Sequence, residues 1–281
     1  MQYPLAVFFL GLIFCCFAYP EESRNNHKSD FDPIQRHSAG VGFEISNMYY
    51  DEPEYMRNKG FMYGVYGDYT FRSNHFMFKL DGRFSLGNID YWSSETGIVD
   101  GQRDYNFETR SSVGYDIRTA SRKAIFTPFI GFGYRYLFDG LSASGYGGYD
   151  RTQHYLYTPL GMETMFPIGT NWKFGLTGEY DLFWQGWNYS DLKDSGLGLD
   201  RVLFYQRDGL GTRYSIKTIR RFGKIDFAME PYFRYWNIDE SDFGFGKKRT
   251  DVSGNPDYIS IYYVEPHNTT TEWGLKVGAG F

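Results

Sequence analysis

TEWGLKVGAGF, residues 271–281, reads as a strand with two chemically different faces. Thr271, Trp273, Leu275, Val277, Ala279 and Phe281 fall on one face, and Glu272, Gly274, Lys276, Gly278 and Gly280 on the other. Side chains alternate across a strand, so a period of two separates an uncharged face from one that carries charge and glycine. A soluble sheet turns such an apolar face to a core, whereas a membrane barrel turns it to lipid. The rest of the chain decides between them.

The pattern recurs nine times upstream. Candidate strands run roughly over 40–50, 60–72, 76–88, 106–118, 125–137, 154–166, 172–185, 209–218, 225–237 and 269–281. Each is long enough for the ~9–11 tilted residues that cross a bilayer. One register is apolar throughout: Val41, Phe43 and Ile45 in the first strand, Phe76, Phe78, Leu80, Phe84 and Leu86 in the third, Trp172, Phe174, Leu176, Tyr180 and Leu182 in the seventh. No Asp, Glu, Lys or Arg occupies that register in any of the ten strands, although charged residues make up 22% of the chain. The other register carries eleven acids and ten bases, among them Lys79, Asp81, Arg83, Arg110, Arg135, Glu163, Glu179, Asp181, Arg213, Glu230 and Arg234. A soluble sandwich also alternates. Ten strands of this length with aromatics at most apolar positions would overfill one sandwich core, so the pattern favours a barrel in lipid.

The connections alternate as well. Short ones follow the even strands (73–75, 119–124, 167–171, 219–224) and mostly long ones follow the odd strands (51–59, 89–105, 138–153, 186–208, 238–268). The expected fold is all-β: a ten-stranded transmembrane up-and-down antiparallel β-barrel with short periplasmic turns, long external loops and both termini in the periplasm. Its closing strand, ending in Phe281, resembles the terminal strand of Gram-negative outer-membrane β-barrel proteins, and that resemblance covers residues 40–281. It implies the bacterial outer membrane as location, with outer-membrane lipid, lipopolysaccharide and the barrel assembly machinery as partners. Pro128, Pro159 and Pro231 oppose a closed sheet by removing ladder donors; strand ends or bulges are expected to hold Pro128 and Pro159, and a bulge the mid-strand Pro231.

Residues 1–18 form an apolar run too short to span a membrane and placed where an export signal belongs, with cleavage expected after Ala18. Residues 19–39 are a polar leader, and the barrel is expected over 40–281. Cys15 and Cys16 both lie in the signal, which leaves no disulfide or cysteine-bound metal to the remainder. The mean hydropathy of -0.50 is too polar for a helical bundle in lipid. Aromatic residues at 21% and 33 glycines suit aromatic girdles and closely packed strands. A net charge of -5 argues against a nucleic-acid partner.

The near balance of inward charge points to a narrow lumen filled by ion pairs more than to an ion-selective pore, which favours an excess of one sign. Chain length and strand number resemble the omptin family of outer-membrane proteases, whose activity implies an Asp and a His two apart on one strand. No Asp-x-His occurs here; His154 near Asp150, and His267 in the loop that holds Asp239, Glu240 and Asp242, are the nearest substitutes. The His-x-Ser of outer-membrane lipid hydrolases occurs only at His27 to Ser29, in the leader. No enzymatic activity and no cofactor are therefore expected. Lys247, Lys248 and Arg249 form a basic run in the longest loop, a candidate contact for lipopolysaccharide phosphates. Together the features suit a surface protein that presents five external loops to an extracellular ligand, with a small porin-like pore as the alternative and an omptin-type protease behind it.

Overall fold

The computed structural model describes residues 35–94, 97–119, 124–144, 147–252 and 255–281. The export signal and most of the leader lie outside the described residues. In chain order the strands are β1 His37–Glu52, β2 Met56–Ser73, β3 Phe76–Ser93, β4 Gly97–Tyr115, β5 Ile117–Arg118, β6 Ile125–Gly140 and β7 Asp150–Ile168. They continue with β8 Trp172–Ser190, β9 Val202–Gln206, β10 Gly209–Phe222, β11 Ile225–Ile238, β12 Gly244–Val252, β13 Asn255–Tyr263 and β14 Asn268–Gly280. Ten of them close a ring in the order β1, β2, β3, β4, β6, β7, β8, β10, β11, β14, with β14 paired back to β1. Every pairing in the ring is antiparallel.

The register fixes the width of the barrel. A path of paired residues from His37 through Phe71, Phe78, Val113, Ile130, Leu160, Tyr180, Thr212, Tyr235 and Thr271 returns to β1 at Tyr49, a stagger of twelve residues. With ten strands this stagger sets a tilt of roughly 40° and a backbone radius of roughly 10 Å. Side chains pointing inward from all sides fill a tube of that width.

The three prolines are accommodated without a bulge, Pro231 against the expectation and Pro128 and Pro159 by interruption of one ladder only. A strand residue points its N–H and C=O at the same neighbour, so a proline spoils one ladder and leaves the other intact. Pro231 pairs with Leu275 of β14, while the β10 ladder skips from Ser215↔Tyr232 to Thr218↔Met229 in unchanged register. Pro159 pairs with Asp181 of β8 and leaves a gap on β6 between Ile130↔Leu160 and Gly133↔Tyr157. Pro128 pairs with Met162 of β7 and interrupts the other ladder at the break between β4 and β5, where the Asp116 N–H turns to the His75 carbonyl at 2.6 Å. The one bulge in β8 lies elsewhere, between Leu156↔Gln185 and Tyr157↔Phe183.

The outer wall carries the apolar register. Phe43 is 74% exposed, and Phe61, Leu80, Val113, Ile130, Leu176, Tyr214 and Trp273 stand out beside it. Toward the long-loop end the strands continue past this band, and the faces exchange character. On β3 the outward series Phe76, Phe78, Leu80, Phe84, Leu86 gives way to exposed Asn88 and Asp90, while the inward series of Lys79, Asp81, Arg83 and Ser85 gives way to buried Ile89 and Tyr91. Buried Met48, Met62 and Ile89 pack together there, as do Tyr50, Met56, Tyr91 and Leu141. Against lipid the apolar side faces outward, and above the lipid the same wall is a water-exposed sheet with an ordinary core.

The connections at that end are consequently shorter than the sequence implied. The stretch 51–59 reduces to a turn at 53–55, and the segment 238–268 is largely the hairpin β12–β13, a separate two-stranded sheet. The hairpin rests on a cluster of Leu192, Val202 and Phe204: an added Cβ at Gly244 would stand 2.7 Å from Val202 and 2.8 Å from Phe204, and Tyr263 packs alongside.

Candidate functional site

The site is the lumen, and it is stacked in three levels. At the short-turn end, Arg72 joins Asp116 at 3.1 Å and Glu163 at 3.0 Å, and Lys79 reaches the second Glu163 oxygen at 2.9 Å. Lys217 stands 3.8 Å from Glu230. This level borders a cavity that opens at that end, lined in part by Asp68, Lys79, Lys217 and Asp226.

The middle level crosses the barrel. Arg83 binds Glu44 at 2.8 Å and grips Glu272 through both terminal nitrogens, at 2.7 and 3.0 Å. Glu272 also accepts from Tyr232 at 3.0 Å and faces Arg234 at 3.4 Å. On the other side Arg213 donates to Glu108 at 2.9 Å and to Asp181 at 2.6 Å. The Tyr157 hydroxyl accepts from Arg213 at 2.9 Å and donates to Glu108 at 2.7 Å. Arg110 links Glu179 at 2.6 Å to Asp81 at 2.8 Å. Glu44, Arg83, Glu108, Glu179, Asp181, Arg213, Arg234 and Glu272 are all below a tenth exposed, so their desolvation is offset by pairing.

Arg135 is the exception. Its cross-strand neighbour is Glu108, whose oxygens are held by Arg213 and Tyr157. Arg135 instead lies over the Trp236 ring at 5.3 Å, and its Nη1 has no hydrogen-bond partner. The expected ion pair is replaced here by a cation–π contact.

Tyrosines complete the packing by lying against glycines of adjacent strands. A Cβ on Gly133 would fall 2.1 Å from the Tyr157 ring, and one on Gly274 2.3 Å from Tyr232. Each tyrosine is the registered partner of its glycine, so the absent side chain is what admits the ring.

The third level was outside the strand limits read from the sequence. Arg151 is shared by Glu52, by Glu265 at 3.0 Å and by Asp139 at 3.1 Å, with Asp104 opposite Asp139 in the ladder. Glu52, Asp104, Asp139 and Arg151 continue the inward parity of their strands, and that parity was the signal available for finding them.

Of the other sequence candidates, His154 is held at 2.8 Å by the Tyr134 hydroxyl and lies among the rings of Tyr134, Tyr136 and Tyr189. His267 bonds to Asn237 at 2.5 Å. Lys247, Lys248 and Arg249 belong to β12, where strand alternation sends Lys247 and Lys248 to opposite faces. All three are exposed.

A closed antiparallel ring with an apolar outer wall and buried, paired charge inside defines an integral outer-membrane β-barrel protein. Comparison with known proteins returns no matching family and no curated relative. Among solved structures, the translocator domain of the autotransporter NalP from Neisseria meningitidis aligns at a TM-score of 0.44 with 7% identity, covering 88% of each chain. The transport unit of the autotransporter AIDA-I from Escherichia coli aligns at 0.38 with 9% identity over 97% of this chain and 96% of its own. The toluene transporter TodX from Pseudomonas putida aligns at 0.35 with 10% identity over 88% and 89%.

Proposed function

We propose that the protein is a surface protein of the outer membrane whose lumen is closed and whose work is done at its external end, through contact with an extracellular partner. The observation that carries this reading is the middle level, where Arg83, Glu272, Arg213, Glu108, Tyr157 and Trp236 are all nearly or fully buried. A barrel of roughly 10 Å radius has no space for a water column beside such a layer. Function is then left to the polar, structured end that rises above the apolar band.

The test is conductance of the refolded protein in a planar bilayer. Rare or very small steps are expected, and larger ones when Arg83→Ala and Tyr157→Ala thin the middle level. Steady, well-defined channels from the unmodified protein would replace this reading with the passive pore.

The reading also requires the long-loop end to face outward and both ends of the ring-closing pair, near Gly40 and Gly280, to face the periplasm. An Ile98→Cys variant is expected to react with a membrane-impermeant maleimide on whole cells, and Thr170→Cys only after the outer membrane is opened; the reverse would invert the protein. The basic residues of β12, beside exposed Phe245 and Tyr262, suit anionic lipopolysaccharide. Lys247→Glu with Lys248→Glu is expected to reduce retention of the detergent-solubilised protein on immobilised lipopolysaccharide.

A further inference from the structure

The hairpin β12–β13 is a sheet of its own, and its two edges differ. The edge of β12 is taken by the loop that precedes β9: Leu199 bridges Lys248, the Asp200 N–H donates to the Lys247 carbonyl at 3.1 Å, and the Arg249 N–H donates to the Gly198 carbonyl at 2.8 Å. β13 forms the other edge of this two-stranded sheet. Sheet edges recruit further strands, and proteins blunt them with lysine, proline or a bulge. From Asp257 to Tyr263 the chain has no Lys, Arg, Pro or Gly, and the register with β12 is unbroken. Tyrosine and isoleucine, which favour strands, make up most of this stretch. Tyr258 is 54% exposed, Ile259 48% and Tyr262 61%.

The stretch Tyr258–Tyr262, YISIY, reads the same in both directions. Two antiparallel strands related by a two-fold axis perpendicular to their sheet pair residues of equal parity, because side chains alternate between the faces. With the axis through Ser260, Tyr258 meets Tyr262 of a second copy, Ile259 meets Ile261 and Ser260 meets itself. Aromatic pairs and pairs of β-branched residues are favoured cross-strand partners. Neighbouring registers lose this match. An axis at Ile259 sets Tyr258 against Ser260, and an axis at Ile261 sets Ser260 against Tyr262 and Ile259 against Tyr263.

Charge agrees with a second copy as the occupant. No charged residue lies between Tyr258 and Tyr263, so the edge offers nothing by which an acidic or basic foreign strand would be selected. Lys247, Lys248 and Arg249 belong to β12, on the far side of β13 from the added strand. Two joined hairpins would hold these basic strands three strand spacings apart, about 14 Å, which exceeds the screening length of ~8 Å at physiological salt.

From these observations we infer that β13 is a self-association edge, through which two copies of the chain join antiparallel, strand to strand, across Ser260. One face of the joined sheet carries four tyrosines flanked by Phe245, whose ring lies 4.8 Å from that of Tyr262, and the other face carries four isoleucines. A contact of five residues a side is small among specific interfaces, so a dissociation constant on the order of 10⁻⁶–10⁻⁴ M is expected. The inference concerns the hairpin alone and holds whether or not the lumen conducts.

The experiment is sedimentation of the full refolded chain in detergent, at concentrations that span this constant, where a monomer and dimer in equilibrium are expected. Ser260→Lys sets two like charges opposite each other at the axis and should weaken the dimer at least tenfold, as should Ser260→Glu. An equimolar mixture of the two variants should dimerise again, because only a residue that meets its own copy is rescued in this way. Unheated gel mobility checks that each variant keeps its closed ring. With Cys15→Ser and Cys16→Ser in place, Ser260→Cys should give a disulfide-linked dimer under mild oxidation, since directly opposed antiparallel residues have Cα atoms about 4.5–5.5 Å apart, within disulfide reach. A monomer at every concentration overturns the inference and leaves the edge to a foreign strand. A dimer that Ser260→Lys does not weaken overturns it too, because its contact lies elsewhere, as on the lipid-facing wall. Loss in both single variants without recovery in the mixture would place Ser260 off the axis, which also overturns it.

Discussion

The Arg83 guanidinium and the Glu272 carboxylate, 189 positions apart in sequence and three strands apart around the ring, meet as a two-pronged pair at 2.7 and 3.0 Å. No spacing rule connects them. They are brought together because β14 closes on β1 and puts the last strand near the third. Arg83→Met leaves Glu44 and Glu272 without their shared guanidinium, and removing one partner of a buried pair costs on the order of 3–5 kcal/mol. Urea unfolding in lipid vesicles should show a loss of that size, partly recovered in Arg83→Met with Glu272→Leu. A loss below about 1 kcal/mol would mean that the lumen is hydrated and its pairs are of the surface kind.

The exchange of faces along β3 makes a second prediction. Leu80 faces outward within the apolar band and Asn88 faces outward above it, on the same strand and the same side. Leu80→Arg should destabilise the inserted barrel by about 2–4 kcal/mol. Asn88→Arg should stay within about 0.5 kcal/mol, as surface changes do. Equal effects at the two positions would place the edge of the lipid elsewhere.

The tyrosine and glycine pairs offer a steric contrast. A methyl group on Gly133 would collide with the Tyr157 ring, whereas one on Gly178 would meet only the Tyr214 ring at an ordinary 3.8 Å. Gly133→Ala is expected to cost about 1–3 kcal/mol through overpacking. Gly178→Ala is expected to be nearly neutral, and the unheated gel mobility of the two variants, together with their unfolding curves, checks both.

Acidity should act on the long-loop end. Burial pushes Glu265, in the connection before β14, up to about 8 from an ordinary 4.5; Arg151 pulls it down and Glu52 pushes it further up. A carboxyl raised on folding binds more protons in the folded state, so its contribution is full below the unfolded value and lost as pH rises through the folded one. The thermal midpoint should therefore fall between about pH 5 and pH 8.5, and Glu265→Gln should flatten that slope. A midpoint that rises over the same interval in the unmodified protein would contradict the assigned burial.

How much of this was legible in the sequence depends on which solvent touched each residue. Where lipid faces the wall, it demands an apolar side chain at every second position, and the register of Val41 to Ile45 or Phe76 to Leu86 could be read without any knowledge of partners. Once the wall rises into water, that demand is released. The alternation continues with its sign reversed, so the sequence pattern places Ile89 and Tyr91 in a loop and does not mark the acids around Arg151 as inward. Identities of partners were not legible at all. Lys79, Asp81 and Arg83 alternate in sign along one strand, yet they pair with Glu163, Arg110, and Glu44 with Glu272, on different strands. Arg135 looked like its neighbours in sequence, and it lost its acid only because Arg213 and Tyr157 hold both oxygens of Glu108.

The seam between β1 and β14 joins the two extremes of the described chain, Gly40 beside Gly280. Until β14 has formed, the strand that begins at His37 has one ladder unmade, and every strand added in between leaves another open edge. Such edges recruit other chains, and contacts across nearly the full sequence form slowly because a long loop must be closed first. The same seam that makes the finished barrel edgeless therefore makes the unfinished one vulnerable.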